Sequence, residues 1–78
     1  MERKSRDWQA LVKGILKAEL ARRDLSYADL AEKLAEVGVK DNRRNITNKV
    51  GRGNFTAVFF VQCLQAIGCE AIHLEEGQ

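Results

Sequence analysis

No proline occurs anywhere in the 78 residues, and glycine occurs only six times. Without a residue that lacks the backbone donor and fixes φ, nothing interrupts helical hydrogen bonding over long runs. The turn residues that a many-stranded β sandwich needs are also missing. Apolar residues make up 45% of the chain, enough for one small core, while the length is too short for a cleft built between two layers. The sequence therefore predicts a single all-α domain spanning 1–78.

Apolar periodicity divides it into segments. Trp8, Leu11, Val12, Ile15, Leu16 and Leu20 fall on one side at 100° per residue, which predicts a first helix over about 7–23. Lys13 and Lys17 project from the opposite side, and Gly14 costs about 1 kcal/mol of helix propensity relative to alanine. Glu19 falls near the apolar side, where a lone buried carboxylate is costly. The stripe is therefore expected to have reached the surface by that turn, with a pairing to Arg22, Arg23 or a base of the third helix as the alternative. In "LSYADLAEKLAEV", Ser26 is an N-cap with Asp29 three residues later, opening a second helix over about 27–37. Leu30, Leu34 and Val37 mark its buried side, Ala31 permits close approach, and Gly38 ends it.

After "GVKDNRR", Asn42 or Asn45 is placed to cap a third helix over about 45–51, with Ile46 and Val50 as its seam. Gly51, Gly53 and Asn54 are expected to form the turn that follows. Thr56 caps a fourth helix over about 57–67, whose Val58, Phe59, Phe60, Val61, Cys63, Leu64 and Ile67 leave little polar surface. Such a helix is either central or shared with a second copy in a homodimer, with "EAIHL" as an accessory contact. Residues 70–75 read as a short strand or irregular tail.

The formal charge of +2 averages over dissimilar blocks: +3 for residues 1–25, −2 for 26–39, +4 for 40–55 and −3 for 56–78. Within the most positive block, Asn42 to Phe55 holds four basic residues, four asparagines, two glycines and no acid. Two successive short helices, the second positive, suggest helix-turn-helix geometry. With Ile46 and Val50 inward, Arg44, Thr47, Asn48, Gly51 and Arg52 point outward. Arg pairs bidentately with guanine, Asn with adenine, and Thr donates to a base or sets its methyl against thymine. Arg44, Thr47 and Asn48 are therefore the expected base readers. Arg43, Lys49 and Arg52 are expected to bind phosphates, which fix register without reading sequence. About five phosphates neutralised per monomer would give a log–log salt slope of about −4 to −5. A module docking an acidic protein partner on the same face is the competing reading, and only the amide and glycine content favours DNA over it.

Other classes find little support. No window approaches the roughly 18 continuous apolar residues of a membrane span, and no apolar run follows the basic N-terminus as in a secretory signal. Two cysteines in apolar surroundings suit reduced thiols, hence a cytoplasmic protein. Cys63, Cys69 and His73 match no zinc spacing, so neither metal nor cofactor is expected. One histidine and no nucleophile beside a base leave nothing for an enzyme. Trp8 has no second exposed aromatic with which to build a stacking platform, so duplex rather than single-stranded nucleic acid is the expected ligand.

The order "LSYADLAEKL", "NITNKVGRGNF", "VFFVQCLQAIG" resembles the lambda-repressor-like (Cro/C1-type) helix-turn-helix superfamily. Within it, "NKVGRGNFTAVFFVQCLQAIG" is similar to a family of short bacterial proteins known only as a domain of unknown function. The resemblance spans about Trp8 to Gly68 and implies a compact bundle of about five helices, sequence-specific binding to double-stranded DNA, and a role as a small transcriptional regulator. It also places Tyr27 where the superfamily often has Gln, so that its phenol would reach a phosphate. The chain departs from the pattern in three places, one of them Gly51, which stands where a glutamate is common. Gly38 follows Ala31 by seven residues where four is usual, and Gly53 follows Ile46 by seven where six is usual.

Overall fold

In the computed structural model, residues 7–74 are described, and they hold four helices and no strand. These are α1 (Trp8–Arg22), α2 (Tyr27–Glu36), α3 (Arg43–Arg52) and α4 (Ala57–Ala66). The fold is all-helical, with four helices among the described residues where about five were expected. Residues 70–74 have no regular structure, and only Glu75 of the expected tail or strand lies outside the described residues.

Each helix begins on a side chain that takes an otherwise unsatisfied backbone N–H. Asp7 accepts from Ala10 N at 3.0 Å, Asn42 from Asn45 N at 2.8 Å and Thr56 from Phe59 N at 3.0 Å. Ser26 and Asp29 form a reciprocal capping box, with Ser26 N donating to Asp29 Oδ2 at 2.8 Å and Asp29 N donating to Ser26 Oγ at 3.0 Å. The Asn42 cap starts α3 two residues earlier than expected. At the other end, α3 runs through Gly51 to Arg52 and stops on Gly53, so Gly51 belongs to the helix and not to the turn.

The core comprises Leu16, Leu20, Leu30, Leu34, Ile46, Val50, Phe59, Cys63 and Ile67. Every predicted seam residue of α2 and α3 except Val37, which is 46% exposed, lies in it. α2 packs on both α3 and α4, and α1 packs on α3. Phe55 closes the group from the turn before α4, edge-on to Phe59 at 5.7 Å and stacked on Phe60 at 5.8 Å. The fourth helix is only partly central. Phe59 and Cys63 face inward, while Val58 and Val61 are 65% and 60% exposed. Trp8, expected at the core or its rim, is also largely exposed.

Glu19 corrects the expectation that its turn lies at the surface: it is buried, and the alternative pairing satisfies it. Arg23 Nη1 donates to Glu19 Oε1 at 2.6 Å, and Arg22 Nη1 lies 3.3 Å from Oε2. Arg23 also donates from Nη1 to Glu19 O and from Nε to Ile67 O, tying the end of α1 to the end of α4. The hydrogen bond from Arg23 holds the Glu19 carboxyl below its ordinary value of 4.5, overcoming the opposing effect of burial, with the charge of Arg22 adding to it. A carboxyl depressed in the folded state stabilises the fold fully above its unfolded value, and that contribution is lost as pH falls through the folded value. Thermal unfolding between neutral and acid pH is expected to find Glu19→Gln less stable than wild type near pH 7. The difference should close as pH falls through the lowered folded-state value of the carboxyl, where the wild-type group also becomes neutral.

Candidate nucleic-acid interface

The seam of α3 is fixed by burial of Ile46 and Val50, each with no exposed surface. That orientation leaves Arg43, Arg44, Asn45, Thr47, Asn48, Gly51 and Arg52 exposed, in keeping with the helical wheel. Among the described residues, no hydrogen bond or ion pair engages the side chains of Arg43, Arg44, Asn48 or Arg52. Three guanidinium groups and one amide thus stand in solvent on a single ten-residue helix. Their donors are unspent, as bidentate base or phosphate contacts require.

Two of the predicted contact residues are partly committed elsewhere. Thr47 Oγ1 donates to Arg43 O at 2.7 Å, so its proton is used within the helix while its methyl and lone pairs remain available. Lys49 Nζ donates to Asp41 Oδ2 at 2.7 Å and lies 4.5 Å from the centre of the Phe59 ring. The Lys49 side chain is still 44% exposed, but that of Asp41 is only 7% exposed. Burial works against the Asp41 charge, yet the Lys49 hydrogen bond and those from Asn42 and Asn45 prevail and hold its carboxyl below the ordinary value. The ammonium of Lys49 is therefore neutralised beside the core, and its placement suits a structural tie better than a phosphate contact.

Asp41 is the member that the sequence pattern does not single out. Asp41 stands eight positions before Lys49 and outside α3, so only the folded path of the connection could reveal the pair. That connection, residues 37–42, is longer than the three to four residues usual between helix-turn-helix elements. Asp41 pins its end: Oδ1 accepts from Asn42 N at 2.9 Å while Oδ2 holds Lys49. Lys13 is likewise absent from the predicted contact set. From α1 it donates to Gly51 O at 2.9 Å, adding a positive charge at the C-terminal turn of α3.

Tyr27 is the first residue of α2. It is half-buried, and burial raises its phenol above the ordinary value of 10.0, keeping it a neutral donor. The sulfur atoms have structural surroundings. Cys63 is fully buried, and burial pushes its thiol up to about 12, which withholds the reactive thiolate. Cys69 donates to Ala71 O at 3.3 Å. Among the described residues no group of three His, Cys, Asp or Glu is placed to hold a metal ion, and no helix is long and apolar enough to cross a membrane.

A four-helix domain with a solvent-facing cationic helix is thus the class that fold and surface define. Residues 8–72 match the model of a domain of unknown function, DUF6471, and the chain belongs to that family. No curated protein and no solved structure matches the chain.

Proposed function

We propose that the chain is a lambda-repressor-like helix-turn-helix module that binds double-stranded DNA in a sequence-specific manner, with α3 in the major groove, and acts as a small cytoplasmic transcriptional regulator in bacteria. The observation that carries this reading is the outward face of α3. Arg43, Arg44, Asn48 and Arg52 are exposed together with unspent donors, while Asp41, the acid just before the helix, is consumed by Lys49. Arg44, Thr47 and Asn48 would read base edges, Thr47 by its methyl. Arg43 and Arg52 would hold phosphates, with Tyr27 reaching the backbone from α2. Control would come from occupancy of the site, with no chemistry at the bound DNA.

Gly51 offers a test that separates folding from binding. A Cβ built there meets nothing within 4 Å, and the residue lies inside α3 with no positive φ. Gly51→Ala is therefore expected to stabilise the fold by about 0.5–1 kcal/mol. The same methyl group would stand between the helix and a base pair. A higher melting temperature accompanied by weaker duplex binding is the expected outcome, and unchanged binding would remove Gly51 from the contact face.

The exposed Val58 and Val61, one turn apart on α4, support a homodimer in which this strip meets its copy. Leu74 at the end of the described tail, 63% exposed, supplies the accessory contact. A two-fold pair would address half-sites about one helical turn apart. An acidic protein partner on the α3 face is the second reading, and the indifference of duplex binding to salt would favour it.

A further inference from the structure

We propose that α1 carries a phosphate-binding strip, Lys13 and Lys17, that grips the sugar–phosphate backbone of one DNA strand beside the groove entered by α3. The inference rests on the DNA-binding reading above and adds a helix to it. Three placements carry it. Lys13 Nζ lies 2.9 Å from Gly51 O, so its ammonium borders the exposed face of α3. Gly53 abuts the backbone of Gln9, which fixes the end of α3 against the first turns of α1. One helical turn beyond Lys13, Lys17 lines a surface groove of about 370 Å³ together with Leu20, Ala21, Leu25, Ser26 and Tyr27. The strip therefore runs from the C-terminal end of α3 to the N-terminal end of α2.

The chemistry of that groove suits a sugar–phosphate chain. Its floor is apolar, and its rim carries the ammonium of Lys17 and the phenol of Tyr27, neither of them hydrogen-bonded among the described residues. Three of the acids on these elements are turned to other work, Glu19 to Arg22 and Arg23, Asp29 to the Ser26 N–H, and Asp7 to the Ala10 N–H, while Glu32 and Glu36 of α2 are exposed and do not line the groove. Asp24, in the turn between α1 and α2, is exposed and does not line the groove. Four residues of helix rise about 6 Å, and one strand of B-DNA carries a phosphate for about every 3.4 Å of axis. That rise spans just under two such intervals, so lysines one turn apart reach nearby phosphates of the same strand, and because they touch no base they would strengthen binding to every sequence alike.

The test is fluorescence anisotropy of the full chain with a mixed-sequence duplex over a range of salt concentrations, comparing wild type with Lys17→Gln, Lys13→Gln/Lys17→Gln and Lys33→Gln. Lys33 sits in the last turn of α2 and does not line the groove. Each strip lysine removed should reduce the steepness of the log–log salt slope by about 0.9, without altering which duplex is preferred. Lys33→Gln should leave the slope unchanged. Because Lys13 also bonds α3, the single Lys17→Gln variant is the decisive one, and it should melt as wild type does. Steep wild-type binding with an unchanged slope in Lys17→Gln would overturn the strip while leaving the α3 reading standing, as would an equal loss in Lys33→Gln. Failure of wild type to bind the duplex at any salt would overturn both.

Discussion

Gly53→Ala is expected to lower the stability of the fold by about 2–5 kcal/mol, more than any surface change on α3. Two costs combine. Gly53 sits at φ +71°, in the left-handed region where a Cβ crowds the following carbonyl at a cost of about 1–2 kcal/mol. That Cβ would also lie 2.6 Å from Gln9 O, a backbone atom in the first turn of α1, so relief requires one helix to move against another. Overpacking of this kind costs about 1–3 kcal/mol. The turn also accepts no easy shift, since Gly53 N donates to both Lys49 O and Val50 O at 3.1 Å. Chemical denaturation of wild type and variant checks the value. A change within about 0.5 kcal/mol, the range of ordinary surface substitutions, would mean that the contact between the α3–α4 turn and α1 is loose.

The second large effect concerns recognition, and it takes the form of a contrast between two substitutions on one helix. Asn48→Ala removes an amide from the centre of the outward face, while Arg52→Ala removes a guanidinium from the last turn. Once a preferred site has been selected from a duplex library, Asn48→Ala should lose about 1–3 kcal/mol of discrimination at one base pair, the worth of a bidentate contact. Its binding to unrelated duplexes should change little. Arg52→Ala should weaken preferred and unrelated duplexes by a similar factor and reduce the salt slope by about 0.9, as the loss of one phosphate contact does. Both residues are exposed and neither has a hydrogen-bond partner among the described residues, so neither variant should unfold. If both lose affinity in the same proportion for every duplex, α3 contacts only the backbone and the assignment of Asn48 as a reader fails.

Helix starts are legible in the sequence because capping is local chemistry. Ser26 with Asp29, and Thr56, declare the openings of α2 and α4 within a span of four residues, and both caps form. The inward seam of α3 is legible for the same reason, since Ile46 and Val50 are the only apolar residues of that helix. What depends on tertiary placement is not. The burial of Glu19 requires Arg23 to fold back along α1 and reach Ile67 O, 44 residues away. Lys49 carries the same charge as its neighbours, and its diversion to Asp41 follows from the path of residues 37–42. The exposure of Val58 and Val61 reflects which side of α4 the other helices cover, and periodicity within so apolar a run cannot choose. The outward set on α3 owes its legibility to the seam, while Lys13 and Lys17 join it only through the packing of α1 on α3.

The central claim is that the α3 face is a nucleic-acid surface, and its most direct test is the salt dependence of duplex binding by the purified wild-type chain, read by fluorescence anisotropy. With Arg43 and Arg52 on α3 and the two lysines of α1 contributing, log affinity should fall with log salt at a slope of about −3 to −5 per monomer. Salt-insensitive binding, or none at low ionic strength, would contradict the account and make Asn42 to Phe55 a docking face for an acidic protein.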